Sequence, residues 1–467
     1  MGGPCSGNGW LCKIDACDGS PKTTISATVY DPAGRVPLSN VAVYVPNTKP
    51  DPISTGPTCD NCATPASGEP VASALTGDDG KFVMQNAPVG TNVPLVIQIG
   101  KWRREITLPE VKACQDNPFD DPQTFRLPRN HSEGHLPRIA LATGGADSLE
   151  CLMRRIGVSD SEFTNPNGSG RINLFADDII GGASVDPAVS SYASGGAFVP
   201  LSSLFVGVNA AADGGFVDSG VSSGLSAYDI LMLSCQGSQE AGRAVTSADK
   251  QALKAFLDGG GRAFLEHYHY SWLRGGDVAG GKDLVPSPEG MSIDLQTKYA
   301  QSPFPAVATW EDPSALTYAP GCPGTTPCTF KIDTSFQRGS DMATWLLNVG
   351  ASTTQGQIGL IDVKNPATAV LPNVALRWVY DDMLGTPYLS ANTPIELASA
   401  PDTQCGRVVH TGIHVAKVAK DKVAPFPSGC TSGELTPQEK AMEFLLFDLS
   451  SCVTDETKPM EPPRIIK

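Results

Sequence analysis

The sequence predicts a multi-domain chain: an N-terminal β-sandwich, then an α/β domain on a parallel sheet, interrupted by a loop-rich and partly β insertion. Three observations carry this reading. Short alternating strands with turn signals about every ten residues fill 23–112, which is the texture of a sandwich. From residue 137, apolar strands alternate with amphipathic helices, which places parallel strands under helices on both faces. The alternation stops at 277 and resumes at 401.

Composition narrows the class. The 467 residues allow two to four domains, at about 150 residues each. Net charge is −15, with 34 basic against 49 acidic side chains, so no bulk field draws a phosphate backbone and nucleic acid is not an expected partner. The sequence holds no apolar run long enough to span a membrane. Thirteen cysteines lie among loops rich in Gly, Pro, Ser and Asn, as in disulfide-bonded proteins of an oxidising compartment. The odd count leaves at least one thiol outside intrachain pairs. Met1–Cys5 lacks the charged and apolar regions of a signal peptide. The chain reads as a mature secreted or cell-envelope protein behind an added Met, its export signal lying outside this sequence.

In chain order, residues 1–22 form a tail with Cys5, Cys12 and Cys17, whose candidate partners are Cys59, Cys62 and Cys114. Cys59 and Cys62 make a CxxC, but no strand precedes it, no helix follows it and no second knuckle matches it. Structural disulfides are therefore expected there. In 23–112, Thr24–Tyr30 and Val41–Val45 alternate, Asp31-Pro32-Ala33-Gly34 turns, Thr76–Phe82 turns into a strand, and Leu95–Ile99 is the next strand. Lys101-Trp102-Arg103-Arg104 reads as a structural or surface cation–π cluster, or as a sugar-binding patch. Residues 113–136 are a polar connector.

The α/β domain covers 137–276 and 401–452. Pro137–Gly145 is a strand entering a glycine turn, and Ala146–Ile156 is an amphipathic helix closed by Gly157. Thr143–Asp147 is a tight strand–helix turn, or an anion site on free helix N–H groups. Arg171–Phe175 and Tyr228–Cys235 are buried strands. Thr246 caps a helix reaching about Leu257, and Ala263-Phe264-Leu265 is the strand after Gly259–Gly261. The insertion, 277–400, holds one helical stretch, Gly339–Val349, and a small loop expected to be closed by Cys322 and Cys328. Gly406–Val415 is the last strand. Thr436, Pro437 and Glu439 give N-cap, N1 and N3 of a helix running to about Leu449, with Cys452 expected to tie to Cys405 or Cys430. The tail, 453–467, is Pro- and charge-rich and reads as loose.

Two family resemblances follow from these stretches. TISATVYDPAGRVPLSNVAVYVPN followed by ALTGDDGKFVMQNAPVGTNVPLVIQIG resembles the carboxypeptidase regulatory-like (transthyretin-like) domain, which implies a spacer or stabilising sandwich. AYDILMLSCQG, GGGRAFLEHYHYSWL and GRVVHTGIHV, in that order, resemble the class I glutamine-amidotransferase-like fold and, within it, the trehalose-utilisation (ThuA-like) group. That resemblance implies a flavodoxin-like sheet. The family's nucleophilic Cys after the GGG strand is absent here, its place taken by Glu266–His269, so the glutaminase mechanism is not expected. The family's late histidine falls on His414.

The chain has six histidines, and two of them, His267 and His269, stand two apart at the carboxyl end of a strand, where open α/β sheets bind ligands. On a regular strand both point one way, with Cβ atoms roughly 6.5–7 Å apart, and Glu266 points the other way. His410 and His414 are about 13 Å apart on a strand, so only His414 joins them. His267, His269 and His414 are thus candidate ligands for a divalent metal such as zinc, with copper or iron also compatible. The alternatives are a metal-free polar pocket and a purely structural cluster. Cys235, His267 and Glu240 are candidate catalytic residues, Cys235 as a thiol nucleophile beside a base. Glu266, Tyr268, Tyr270 and Trp272 are candidate pocket walls. No G-x-S-x-G elbow occurs, which argues against an ordinary serine hydrolase.

Two function classes fit. One is a secreted hydrolase acting on a polar small molecule, carbohydrate or peptide. The other is a non-enzymatic adhesion or assembly protein that keeps the α/β fold as a scaffold and self-associates.

Overall fold

The computed structural model describes residues 9–18, 21–176, 189–205, 208–210, 216–218, 224–236, 247–273, 303–310, 326–363, 367–415 and 424–466. It is a β-rich, multi-sheet protein with few helices. Period-two alternation in the first part folds as seven strands: β1 (Thr24–Thr28), β2 (Ala42–Pro46), β3 (Pro70–Leu75), β4 (Lys81–Gln85), β5 (Gly90–Ile99), β6 (Trp102–Val111) and β7 (Asp116–Phe119). They form a four-stranded sheet, β3-β2-β5-β6, and a three-stranded one, β4-β1-β7. Ile25, Phe82 and Met84 from one sheet share a core with Val43, Val45, Leu95 and Ile97 from the other, as in a sandwich. Part of the expected polar connector is therefore strand β7.

Trp102 corrects the expected surface cluster. It is completely buried and meets Phe447 edge to face at 5.7 Å, while Lys101 Nζ pairs with Asp229 Oδ1 at 2.6 Å. No sugar-facing ring remains there. The stretch instead joins the sandwich to the second half of the molecule.

That half is built on an eleven-stranded sheet. Its parallel part comprises β8 (Ile139–Thr143), β9 (Phe163–Thr164), β10 (Ile172–Ala176), β11 (Val199–Pro200), β14 (Ile230–Leu233), β15 (Arg262–Glu266) and β22 (Gly406–Thr411), in the order β11-β10-β8-β14-β15-β22 with β9 beside β10. Its other strands are β17 (Cys328–Ile332), β18 (Gln357–Leu360), β20 (Leu376–Asp381) and β21 (Gly385–Thr393), which continue the sheet antiparallel beyond β22. The expected insertion thus extends the main sheet rather than standing apart from it. Two small pairs lie off it: β12 (Val208–Ala210) with β13 (Phe216–Asp218), and β16 (Ala308–Trp310) with β19 (Ala367–Val370).

Both faces of the parallel part are apolar and both are covered. Ile139, Leu141, Ile230, Met232, Phe264 and Val409 face the core shared with α1 (Leu149–Arg155), α3 (Gln337–Asn348) and α4 (Pro437–Ser450). Ala140, Ala142, Leu231, Leu233, Ala263, Leu265 and Val408 face a second core with α2 (Ser247–Asp258). The continuous apolar strands of the sequence reflect this double burial. Helix α1 is shorter than expected, because Asp147 and Ser148 are used in the turn. Helix α4 carries the predicted capping box: Thr436 Oγ1 accepts from Glu439 N at 3.2 Å, and Glu439 Oε2 accepts from Thr436 N at 2.7 Å, a motif worth about 1 kcal/mol. Thr246, the expected cap of α2, lies outside the described residues.

Disulfides lock these parts together. Cys17 bonds Cys114, as one expected option had it, and Cys151 bonds Cys430. The CxxC reaches across the molecule, Cys59 to Cys405 and Cys62 to Cys452. Cys452 therefore pairs with neither Cys405 nor Cys430. The expected Cys322–Cys328 loop involves a residue outside those described. The C-terminal tail is tied rather than loose: Glu456 is buried against Arg407 at 3.0 Å, Ser73 Oγ donates to Pro463 O, and Ile466 N donates to Pro70 O.

Candidate functional site

Parallel register brings four strand ends into one row. Leu233 pairs with Leu265, and Glu266 with Thr411. Just beyond the carboxyl ends of β8, β14, β15 and β22 stand Asp147, Cys235, His267 and His414. Strand β8 has β10 on one side and β14 on the other, so the strand order reverses there, and such reversals are where open α/β sheets form ligand crevices.

The chain departs from strand geometry at His267, whose φ is +38°, a conformation that costs a non-glycine residue energy and is common at functional sites. His267–Trp272 then forms a 3₁₀ helix. This overturns the expectation that His267 and His269 share a face by strand alternation. His267 Nδ1 lies 3.3 Å from Cys235 Sγ. Its ring stands perpendicular to that of His414, with centroids 5.4 Å apart. The donor atoms of Cys235, His267 and His414 all lie within 4.8 Å of one another, and all three residues are buried. Cys235 is not disulfide-bonded.

His269 turns away and donates Nε2–H to Ser234 O at 2.9 Å, which braces the segment carrying Cys235. His410 donates Nε2–H to His267 O at 2.8 Å, which supports the strained turn. Burial pushes both imidazoles down to about 4, so both are neutral. His414 donates Nδ1–H to Asp362 O at 3.1 Å, while its Nε2 has no hydrogen-bond partner among the described residues. That bond fixes the tautomer and leaves the Nε2 lone pair available.

A carboxyl pair lies behind the group. Glu266 Oε2 accepts from Cys235 N at 2.8 Å and from Ser234 Oγ at 3.3 Å. Asp147 accepts from Ser148 N at 2.8 Å and from Val415 N at 2.7 Å, which anchors the segment next to His414. Burial raises both carboxyls. The neighbouring Asp147 raises Glu266 further, whereas hydrogen bonds from Glu266 and from backbone N–H groups hold Asp147 down, so Glu266 is the one that keeps a proton. Gly144 is required here: a Cβ on it would sit 2.2 Å from Cys235 O. The N–H groups of Ala146 and Asp147 are given to that same carbonyl, which makes this a tight turn rather than an anion site.

Of the residues expected from sequence, Cys235, His267 and His414 come together and Glu266 backs them. Tyr268 stacks on His267 with ring centroids 3.7 Å apart. Tyr270 and Trp272 instead pack into the core, against Trp310 at 5.3 Å and Phe205 at 5.2 Å. Glu240 lies outside the described residues. Sequence reasoning missed Asp147 as the partner of Glu266 and Asp362 as the acceptor for His414. The Gly-Gly-Ala-Asp turn was a usable signal for Asp147, and nothing local marks Asp362. A cavity of about 260 Å³ between Ala375, Ser390 and Glu456 has no thiol or imidazole in its lining.

No protein family profile and no curated protein matches the chain. Among solved structures it is similar to a C-terminal interface mutant of a type II cohesin–X-dockerin complex from Acetivibrio cellulolyticus, at 15% identity over 31% of this chain and 75% of that chain, with a TM-score of 0.17. An N-terminal interface mutant of the same kind of complex gives 14% identity, 32% and 78% coverage, and a TM-score of 0.16. Likenesses at this level carry no argument about fold or function.

Proposed function

We propose that the chain is a secreted or cell-envelope hydrolase of a polar carbohydrate or peptide substrate, working at Cys235, His267 and His414. In this reading the parallel sheet is flavodoxin-like, of the ThuA-like kind within the glutamine-amidotransferase-like fold, and the sandwich is a carboxypeptidase regulatory-like spacer. The single observation that carries the proposal is the convergence of one thiol and two imidazoles within 4.8 Å at adjacent strand ends. Such a group generates a nucleophile at neutral pH. A water that loses a proton to the group attacks a carbonyl or anomeric carbon, the scissile bond breaks, and that proton passes to the leaving group. Among the described residues, four disulfides and the lack of a helix long and apolar enough to cross a membrane fit an extracellular setting.

The test is a panel of ester, amide and glycoside substrates assayed with the full chain. Hydrolysis of at least one class is expected, with Cys235→Ser and His414→Gln each losing at least about a hundredfold in rate, since each removes a group of the reacting cluster. Hydrolysis that survives both substitutions contradicts this site, and no hydrolysis of any class moves the protein to the scaffold reading, in which it self-associates or binds partners without chemistry.

A further inference from the structure

The geometry points to a divalent-cation centre of the zinc type held by Cys235 Sγ, a ring nitrogen of His267 and His414 Nε2. It rests on the proposed function only in using the same three residues.

Three observations support it. The first is distance. Tetrahedral zinc with Zn–S near 2.3 Å and Zn–N near 2.05 Å sets its ligand atoms roughly 3.3–3.6 Å apart. Cys235 Sγ and His267 Nδ1 are 3.3 Å apart, and no pair among the three exceeds 4.8 Å. Side-chain rotations of about an ångström close the remainder.

The second is hydrogen bonding at His414. Its Nδ1–H is committed to Asp362 O, and its side chain is more than nine-tenths buried, with Nε2 lacking a partner among the described residues. A buried acceptor without a donor is costly. A cation relieves that cost, and a carbonyl on the far ring nitrogen is the usual support for a metal-binding imidazole.

The third is composition. A bare thiol–imidazole pair needs one histidine. Here a second imidazole is brought to the same point, ring against ring. Its lone pair has no role in a two-residue mechanism and an obvious one as a third ligand.

The ligand set differs from the histidine-only set expected from sequence. Cys235 takes the place of His269, which braces Ser234 instead. On loading, the Cys235 S–H bond breaks, the thiolate binds the ion, the proton goes to solvent, and the ion keeps its charge. Three protein ligands leave the fourth position for a water, whose pKa the ion lowers towards 7.

The experiment uses the full, disulfide-intact chain, stripped with chelator in the absence of reductant and titrated with Co²⁺ alone. One ion per chain is expected, with a near-ultraviolet thiolate-to-cobalt charge-transfer band that Zn²⁺ bleaches. Cys235→Ser should remove the band. His414→Ala should weaken Co²⁺ binding at least about tenfold. His269→Gln should keep the band. The wild-type spectrum decides without any variant, and circular dichroism checks that each variant is folded. No band in the wild type, or an undiminished band in Cys235→Ser, overturns the centre. A band without hydrolysis of any substrate retains the centre and removes the hydrolase reading. Full-rate hydrolysis by the stripped chain together with no band does the reverse.

Discussion

Cys235 Sγ lies 3.3 Å from His267 Nδ1 although 32 positions separate them in the chain. The contact exists because β14 and β15 are parallel neighbours in register, Leu233 opposite Leu265, and each chain turns just past its strand. The site is therefore as stable as the sheet beneath it, and the groups that hold those two turns make the first prediction.

Glu266 should tolerate an amide and not a truncation. Its carboxyl is fully buried and raised well above the usual range by burial and by Asp147, so the neutral form is the native one. Glu266→Gln keeps an acceptor for Cys235 N–H and Ser234 Oγ, and should cost under about 1 kcal/mol. Glu266→Ala leaves those donors and Asp147 without their partner beside a cavity, and should cost about 2–4 kcal/mol. Chemical denaturation of both variants at neutral pH checks this.

How much of this was legible in the sequence differs by level. The strands Ile139–Thr143, Ile230–Leu233, Arg262–Glu266 and Gly406–Thr411 announce themselves as short apolar runs, because burial on both faces leaves no polar alternation to confuse them. The Thr436–Glu439 cap is equally plain, since a capping box is a local device. The pairing of His267 with Cys235 rather than with His269 was hidden, because strand parity fails where His267 adopts φ +38°. Tyr270 and Trp272 looked like pocket walls for the same reason. The Cys59–Cys405 and Cys62–Cys452 bonds span separations of 346 and 390, and no local pattern encodes contacts that distant.

The interface between the sandwich and α4 should weaken as pH rises. Asp31 is buried and raised to about 6, chiefly by burial, against the pull of backbone N–H groups and Arg35. Glu443 of α4 is raised well above its usual value, by burial first and then by Asp31, with Arg35 and Lys440 pulling the other way. Both groups keep protons in the folded state after the unfolded chain has lost them. Their penalty is absent below about pH 4 and grows as pH climbs through and beyond 6, reaching about 3 kcal/mol for Asp31. Thermal melts should fall over that window. Glu443→Gln should raise the midpoint at about pH 8, leave it nearly unchanged at about pH 4, and so flatten the profile. A wild-type midpoint that rises over the same window contradicts this.

The second of the long-range disulfides should count for less than its 390-residue separation suggests. With Cys59–Cys405 in place, Cys62–Cys452 closes an effective loop of only about fifty residues, worth about 4 kcal/mol in the chain-entropy description. Cys62→Ser with Cys452→Ser should lose about that much in denaturant unfolding, with the native far-ultraviolet spectrum retained. Cys62 N also donates to Val453 O and Val453 N to Asp60 O, and a loss under about 1 kcal/mol shows that these backbone bonds hold the segment without the disulfide.

The central claim, that Cys235, His267 and His414 form one cation-holding reactive centre, is met most directly by X-ray absorption at the zinc edge on the full chain purified without chelator. The prediction is a four-coordinate first shell with one sulfur near 2.3 Å and two imidazole nitrogens near 2.05 Å, the remainder being light-atom scatterers. A first shell of oxygen and nitrogen alone, or zinc far below one ion per chain, contradicts it.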